Sequence, residues 1–132
     1  MIVVDTNILA YTMFEGEKSS LTEQTLQKDS DWVAPLLWKS EFLNVLALHL
    51  RSENLTIENA KFIMELSNRY IKADFQVPPS HILDLIATSK CSAYDCEFVA
   101  LAQELGIQLV TEDRQILEQF PEIAVSLTEF VA

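Results

Sequence analysis

Ile2-Val3-Val4-Asp5-Thr6-Asn7, at the start of the chain, joins a short apolar run to three polar residues. Such a run is typical of a buried strand, and Asp5 marks its end. Carboxylates are almost never buried unless they are paired or bind a metal, because removing their hydration is costly. Asp5 therefore indicates a functional site at the end of a strand. An Asp here also suits the N-cap of a helix that begins near Ile8, so both interpretations stay open.

Glu41 lies on the apolar face of a helix predicted over residues 35–51, with Pro35 at its start. Its neighbours on that face are apolar apart from Asn44. These neighbours are Leu37, Trp38, Val45 and Leu48. A solvated glutamate would lie on the opposite face, so the position favours a functional role.

Asp95 and Asp113 each have a structural interpretation beside the functional one. Ser92 and Asp95 match a capping box, in which the acid follows the capping residue by three positions. Asp95 also lies on a packed helical face, whose apolar members are Phe98, Val99 and Ala102. Asp113 comes after the strand-like run Ile107-Gln108-Leu109-Val110, at the start of a predicted helix, where an acid suits the positive end of the helix dipole. The adjacent Glu112 offers an alternative to it.

The four acids together indicate a cation-binding site. The chain has 20 Asp plus Glu and only 9 Lys plus Arg, so few basic side chains are present to pair with buried carboxylates. Hard divalent cations such as Mg²⁺ take oxygen ligands of this kind. We predict that Asp5, Glu41, Asp95 and Asp113 bind Mg²⁺, for which Mn²⁺ can substitute.

Short apolar strands alternate with helices along the chain, which predicts an α/β fold with a parallel sheet and helices on both faces. Strands are predicted at residues 1–4, 74–77 and 107–110. Helices are predicted at residues 9–14, 21–26, 35–51, 56–71, 80–89, 92–105 and 112–119, and residues 123–127 close the chain. The third and fourth helices are expected to form an antiparallel hairpin. In parallel sheets ligands bind beyond the carboxyl ends of the strands, where Asp5 and Asp113 are expected.

Length and composition favour a single globular domain spanning residues 1–132, with 49% apolar and 22% charged residues. Neither a signal peptide nor a membrane span is evident, which predicts a cytoplasmic protein. Cys91 and Cys96 are expected to be small buried thiols. The net charge of −11 argues against long-range attraction to nucleic acid, but it permits phosphate binding through a metal held by carboxylates.

Competing sites find little support in the sequence. Only two glycines are present, Gly16 and Gly106, so neither a P-loop nor a dinucleotide-binding fingerprint can form. A haloacid-dehalogenase phosphatase requires a second Asp where Asn7 stands. His49 and His81 are isolated and are expected to be structural or solvated. Trp32 and Trp38 are expected in the core or at an interface instead of serving as base-stacking platforms.

Four segments in order carry a resemblance to a known family. They are Ile2-Val3-Val4-Asp5-Thr6-Asn7, Ser40-Glu41-Phe42-Leu43-Asn44-Val45-Leu46, Tyr94-Asp95-Cys96-Glu97-Phe98-Val99-Ala100-Leu101-Ala102 and Leu109-Val110-Thr111-Glu112-Asp113. The set resembles the PIN-domain nucleases, and in particular the VapC-type toxin ribonucleases, over nearly the whole chain. The resemblance implies a three-layer α/β/α sandwich around a mainly parallel sheet, with the same four acids as catalytic and metal-binding residues. Thr111 or Asn7 would give polar support, and Glu97 would face solvent or add a charge near the metal.

The resemblance also implies an activity and partners. It implies a Mg²⁺-dependent endoribonuclease that hydrolyses RNA phosphodiester bonds, with a cognate antitoxin protein and a homodimeric state. Asp5 and Asp95 would be the main metal ligands, Asp113 a direct or water-bridged ligand, and Glu41 would hold a second ion or orient the attacking water. Two alternatives stay open, namely a PIN nuclease of RNA maturation without an antitoxin and a catalytically silent acidic binding module.

Overall fold

A computed structural model describes all of residues 1–132 as an α/β fold around a five-stranded sheet. The strands are β1 (Ile2–Val4), β2 (Trp32–Pro35), β3 (Ile71–Phe75), β4 (Leu109–Val110) and β5 (Ala124–Val125). The helices are α1 (Thr6–Met13), α2 (Ser19–Lys28), α3 (Trp38–Arg51), α4 (Ile57–Tyr70), α5 (Pro79–Ala87), α6 (Ala93–Leu105), α7 (Arg114–Gln119) and α8 (Leu127–Val131). None of these helices combines the length and apolar character needed to cross a membrane.

The sheet is parallel throughout, with the spatial order β3-β2-β1-β4-β5. The chain builds outward from β1 through β2 to β3, and then returns to the other side of β1 to add β4 and β5. The direction of winding therefore reverses between β1 and β4. In open parallel sheets a ligand-binding crevice forms at such a reversal, outside the carboxyl ends of the two strands. Helices flank the sheet, and the predicted three-layer α/β/α sandwich is confirmed.

The central position of β1 follows from its three apolar, buried residues. Val3 pairs with Val33 of β2 on one side and with Leu109 of β4 on the other. A parallel strand in this position is covered on both faces, so both faces must be apolar. Helix α6 packs directly on β1, β2 and β4. Its buried residues are Cys96, Phe98, Val99, Ala100, Leu101 and Ala102.

Strand β2 was not predicted, and the prediction that a helix begins at Pro35 was wrong. Pro35 is instead the last residue of a buried strand between β1 and β3, and α3 begins at Trp38. The lack of an N–H on Pro35 leaves the pairing with β1 intact, because that pairing covers Trp32 and Val33 and ends before Pro35. The next residue resumes the pairing, because the Leu36 N–H donates to the carbonyl of Phe75 at 2.9 Å.

Strand β3 and the end of the chain also differ from the prediction. β3 begins at Ile71, where α4 ends, because Ile71 pairs with Trp32 of β2. Residues 123–127 contain the short strand β5, and a helix that was not predicted, α8, follows it. The Ser126 hydroxyl caps α8 by accepting the Glu129 N–H at 3.2 Å. Edge strands of two residues carry too little pattern to be recognised in advance.

Local signals set the helix ends that were predicted well. The Ser92 hydroxyl caps α6 by accepting the Asp95 N–H at 3.1 Å. Gly106 ends the same helix in the left-handed conformation with φ 65°, which favours glycine. Thr56 caps α4 in the same way as Ser92 caps α6. Helices α3 and α4 are consecutive and pack against each other.

Candidate active site

Asp5 lies at the carboxyl end of β1, with 7% of its surface exposed. Its backbone leaves the strand to cap α1, and its Oδ1 accepts the Thr6 N–H at 2.8 Å. Its Oδ2 accepts the Thr111 hydroxyl at 2.7 Å. The two bonds hold the carboxylate plane in one orientation. The capping interpretation of Asp5 is therefore correct, and it coexists with a position at the sheet edge.

Thr111 connects the ends of β1 and β4. Its hydroxyl donates to Asp5 and accepts the Asp113 N–H at 3.0 Å. The Asp113 Oδ1 in turn accepts the Ile116 N–H at 3.0 Å and caps α7. The turn after β4 thus places the Asp113 carboxylate beside the same crevice, because β4 is the immediate neighbour of β1.

Glu41 reaches the crevice from the first turn of α3 and is half-buried. Its Oε1 accepts the Thr6 hydroxyl at 2.7 Å. Thr6 therefore holds two acids, Asp5 through its backbone N–H and Glu41 through its side chain. This bond links α3 to the start of α1 and fixes the orientation of a residue that sequence alone placed only on a helix face.

Asp95 is also half-buried, in the first turn of α6. The capping box predicts that its backbone N–H meets Ser92, and the structure contains that bond. A full capping box also has a bond from the Ser92 N–H to the Asp95 carboxylate. That bond does not form here. The cap is therefore built by Ser92, and the Asp95 carboxylate is available to the crevice.

All four carboxylates line one open cavity of about 430 Å³. Their companions in its wall include Thr6, Asn7, Tyr11 and Asn44. No Lys, Arg or His lines this cavity. Four acids without a basic counterpart, on two strand ends and two helices, form an arrangement suited to a cation.

Burial and mutual repulsion set the proton affinities of the acids. Burial raises the pKa of Asp5 to about 7, and the negative charges of Glu41 and Asp95 add to this, while the bonds from Thr111 and Thr6 oppose it. Burial likewise raises the pKa of Glu41, with a further contribution from Asp95. For Asp95 burial again raises the pKa, and the nearby Asp113 adds to the effect. The acids therefore interact through space, as a convergent set must.

The donor set fits a hard divalent cation. Every candidate ligand offers oxygen, which Mg²⁺ prefers. No three of the carboxylates lie close enough together to chelate a single ion by themselves. An ion in this cavity would therefore be held through one or two carboxylates together with several waters, as is usual for Mg²⁺.

The profile of one protein family, described as the PIN domain, matches residues 2–123. The chain belongs to the PIN domain family. A sequence relative, Ribonuclease VapC3 of Pyrobaculum aerophilum, is 28% identical over 126 residues, which cover 92% of this chain and 96% of the relative. This confirms the family that the four ordered segments indicated.

Two solved structures share the fold of this PIN domain. A crystal structure of a Pyrobaculum aerophilum protein superimposes with a TM-score of 0.78 at 18% identity, covering 98% of this chain and 92% of that one. A toxin-antitoxin complex from Klebsiella pneumoniae contains a chain with a TM-score of 0.71 at 16% identity, covering 96% of this chain and 98% of that one. At these identities the likeness concerns the fold.

Glu112 has a structural role that its sequence position did not reveal. Its Oε1 accepts from the Lys18 ammonium at 2.6 Å, and its Oε2 accepts the Leu127 N–H at 3.2 Å. Glu112 therefore joins α2 and α8 to the turn after β4, and it does not line the acidic cavity as Asp113 does. Glu97 is half-buried outside the cavity lining, and its charge contributes to the raised pKa of Glu41.

Sequence reasoning missed Thr6 as a member of the site and named Thr111 and Asn7 as polar support. Thr111 takes that role directly, through its hydroxyl bond to Asp5. The side chain of Asn7 makes two longer contacts: its Nδ2 lies 3.5 Å from the Asp5 Oδ2, and its Oδ1 accepts the Glu112 N–H at 3.4 Å. The signal for Thr6 was its place directly after Asp5 at the start of a helix. Its bond to Glu41 spans 35 residues, so no local pattern contains it.

The remaining polar candidates lie elsewhere. Cys91 and Cys96 are free, buried thiols, and burial raises the pKa of Cys91 to about 11. His49 stacks on Phe14, with ring centroids 4.0 Å apart. His81 contacts Glu104 and lies away from the acidic cavity.

Proposed function

We propose that this chain is a metal-dependent endoribonuclease and the toxin of a toxin-antitoxin pair. The observation that carries the proposal is the convergence of four carboxylates, without a basic partner, at the switch point of a parallel sheet. Membership in the PIN domain family supports it. So do the names of similar proteins, one a ribonuclease and another part of a toxin-antitoxin complex.

A divalent ion, when bound, supplies a water of lowered pKa and neutralises charge that develops on a phosphate. In the proposed site Asp5 and Asp95 would hold that ion, and Asp113 would contribute directly or through water. Glu41 orients the attacking water or helps to hold a second ion. Water attacks phosphorus and the bond to the 3′ oxygen breaks, which leaves a 5′-phosphate and a 3′-hydroxyl.

The hydrogen bonds around the acids serve orientation. Thr6 and Thr111 each donate to one carboxylate of the set, so the side chains are held in place before substrate arrives. Preorganised groups avoid the cost of ordering during the reaction.

Cleavage of single-stranded RNA by the purified protein is expected to require Mg²⁺ or Mn²⁺. Excess EDTA should abolish the activity and added Mg²⁺ should restore it, because carboxylates by themselves supply no positive charge to stabilise the phosphate. End-labelled RNA resolved on a denaturing gel measures both results. Undiminished cleavage in EDTA would contradict the metal-dependent mechanism, and retained metal binding without any cleavage would favour the silent binding module.

Thr6→Val is expected to lower the cleavage rate about tenfold or more, because outer hydrogen-bond partners of ligating groups typically contribute 10- to 100-fold. The valine keeps the shape and the backbone bond to Asp5, and it loses only the hydroxyl that donates to Glu41. Thr12→Val is the matched control on the same helix, since its hydroxyl bonds to the carbonyl of Ile8. Equal rates in both variants would remove Thr6 from the site.

The proposed protein partner is an antitoxin with a basic, amphipathic segment. A groove of about 380 Å³ between α3 and α4 is lined mainly by apolar side chains. Leu43 and Ile57 in this groove are 52% and 51% exposed. The chain carries a net charge of −11, so a basic segment is electrostatically complementary, and an Arg from it would pair with the acidic cavity. We also propose that the same helices support a homodimer.

Leu43→Glu is expected to weaken binding of the antitoxin encoded next to this gene, and to shift any dimer toward monomer, because a charge enters an apolar contact. Co-purification and light scattering at micromolar concentration measure the two effects. Leu83→Glu is the matched control, since Leu83 is also exposed, at 62%, but lies on α5 outside the groove. A monomer without any co-purified partner would favour a PIN nuclease that works without an antitoxin.

A further inference from the structure

A second cavity of about 480 Å³ adjoins the acidic one. The two share Ala10 and Tyr11 as lining residues. The wall runs from Asn7 in the first cavity, along α1 through the shared pair, to Phe14 in the second, the residue that follows the end of α1. These positions recur at intervals of three and four residues, which places them on one helical face. A chain-like ligand bound at the carboxylates can therefore continue along α1 into this second cavity.

Aromatic rings distinguish the second cavity from the first. Phe14 and His49 both line it and stack on each other, with centroids 4.0 Å apart and planes within 5°. Both side chains are partly buried and partly accessible to solvent. Flat, accessible rings of this kind bind unpaired bases by stacking, and the contact tolerates any base because each has a π-face. Because this aromatic pair adjoins the proposed site of phosphodiester cleavage, a nucleobase is its candidate ligand.

Lys18 supplies the cation that the acidic cavity lacks. It is the one Lys or Arg in the lining of either cavity. Its ammonium lies 2.6 Å from Glu112 and 5.8 Å from the centre of the Tyr11 ring. The ion pair fixes the lysine relative to the turn that carries Asp113. Glu15 and Glu17 also line this cavity but are exposed, so a phosphate is accommodated at Lys18 and not along the whole rim.

We propose that this second cavity binds the nucleotide adjacent to the scissile phosphate, with its base on the Phe14–His49 pair and its phosphate at Lys18. The inference rests on the proposed ribonuclease function and specifies where its substrate lies. It requires the single-stranded RNA of that proposed function, since bases are free to stack only where RNA is unpaired. His49 and Lys18 thereby become substrate-positioning residues.

Binding of a fluorescein-labelled single-stranded RNA of about ten nucleotides tests the proposal. Affinity is measured by anisotropy with Mg²⁺ in an Asp95→Asn background that removes turnover, and kcat and KM are measured in the otherwise native protein. His49→Ala should weaken binding at least about fivefold and raise KM with little change in kcat, because it removes a stacking surface. His49→Phe should restore affinity, since it retains a ring against Phe14.

Lys18→Gln should lower the slope of log affinity against log salt by about 0.7, the value for one phosphate contact on a single strand. Lys18→Arg should retain the slope. Lys72→Gln is the matched control, because Lys72 is exposed near the amino end of β3, opposite the carboxyl edge of the sheet. Thermal melts of each variant establish that the fold is retained.

The outcomes separate the two levels of the proposal. Wild-type RNA affinity in both His49→Ala and Lys18→Gln would overturn the subsite, whether or not the native protein cleaves RNA. If the native protein cleaves nothing while both variants lose affinity, the nuclease assignment fails and the nucleotide subsite stands. Loss of an antitoxin contact in these variants, with RNA affinity unchanged, would assign the cavity to the protein partner and overturn the subsite.

Discussion

Asp5→Asn and Asp95→Asn are each expected to lose at least about 100-fold in the rate of RNA cleavage. Substitutions that only disturb the partners of metal ligands typically cost 10- to 100-fold, so removing a proposed ligand charge should cost at least the upper part of that range. Asparagine is nearly isosteric with aspartate, and the cap of α6 is built by Ser92, which Asp95→Asn leaves intact. The expected loss is therefore chemical and not a consequence of unfolding.

Single-turnover cleavage of labelled RNA at saturating Mg²⁺ measures the effect, with circular dichroism as the check on folding. Asp84→Asn is the matched control, because it removes the same charge from an exposed position on α5. If Asp95→Asn cleaves within a few-fold of wild type, Asp95 is not a ligand, and the acid at that position serves only the start of the helix.

The strands that position the site could be predicted where an apolar run stands between clear boundaries. β1 ends at Val4, just before Asp5, and β4 ends at Val110, just before Thr111, so the two polar turns were visible in the sequence. β2 was hidden because Pro35 is also typical of a helix start. The failure to predict β2 matters for the site. The crevice lies where the winding reverses, and that reversal exists because β2 and β3 lie on one side of β1 while β4 lies on the other.

The choice between a capping role and a site role could not be made from the sequence, because the two are compatible. Asp5 and Asp113 cap α1 and α7 and also line the acidic cavity. Capping depends on residues within one turn, whereas convergence depends on strands that pair across more than 100 positions. The capping geometry even contributes to the site, since it fixes the direction in which each carboxylate points.

Long-range hydrogen bonds were the part of the site furthest from prediction. The bond from Thr6 to Glu41 needs α1 and α3 to pack together, and the pair formed by Lys18 and Glu112 spans 94 residues. Neither pair has a characteristic spacing in the sequence. The acids themselves were recognisable because an inward-facing carboxylate violates the usual distribution of charge, whereas a threonine or a surface lysine does not.

The metal-free protein is expected to lose stability as the pH rises from about 4 to about 7. The pKa of Asp5 lies at about 7 in the folded chain against an ordinary value of 3.8. A raised pKa means that the folded state binds the proton more tightly than the unfolded state, so this contribution is fully present below about pH 4 and is lost as the pH rises through 7. At about 1.4 kcal/mol per pKa unit, the loss is on the order of 4 kcal/mol.

Urea denaturation in EDTA at a series of pH values, at constant salt, measures the free energy of unfolding. The raised pKa values of Glu41 and Asp95 act in the same direction, so the comparison with Asp5→Asn isolates the contribution of Asp5. That variant should show a much flatter decline between pH 4 and 7. Asp84→Asn should decline as the wild type does.

Mg²⁺ should reverse most of this loss, because ion and proton compete for the same carboxylates. The stabilisation by Mg²⁺ should therefore be larger at pH 8 than at pH 5, and larger in wild type than in Asp5→Asn, which lacks one charged ligand. A decline between pH 4 and 7 that is the same in wild type and Asp5→Asn would show that Asp5 titrates as an ordinary exposed acid. If the stabilisation by Mg²⁺ is the same at every pH and in Asp5→Asn, the ion binds away from Asp5. The acidic cavity would then require a different ligand.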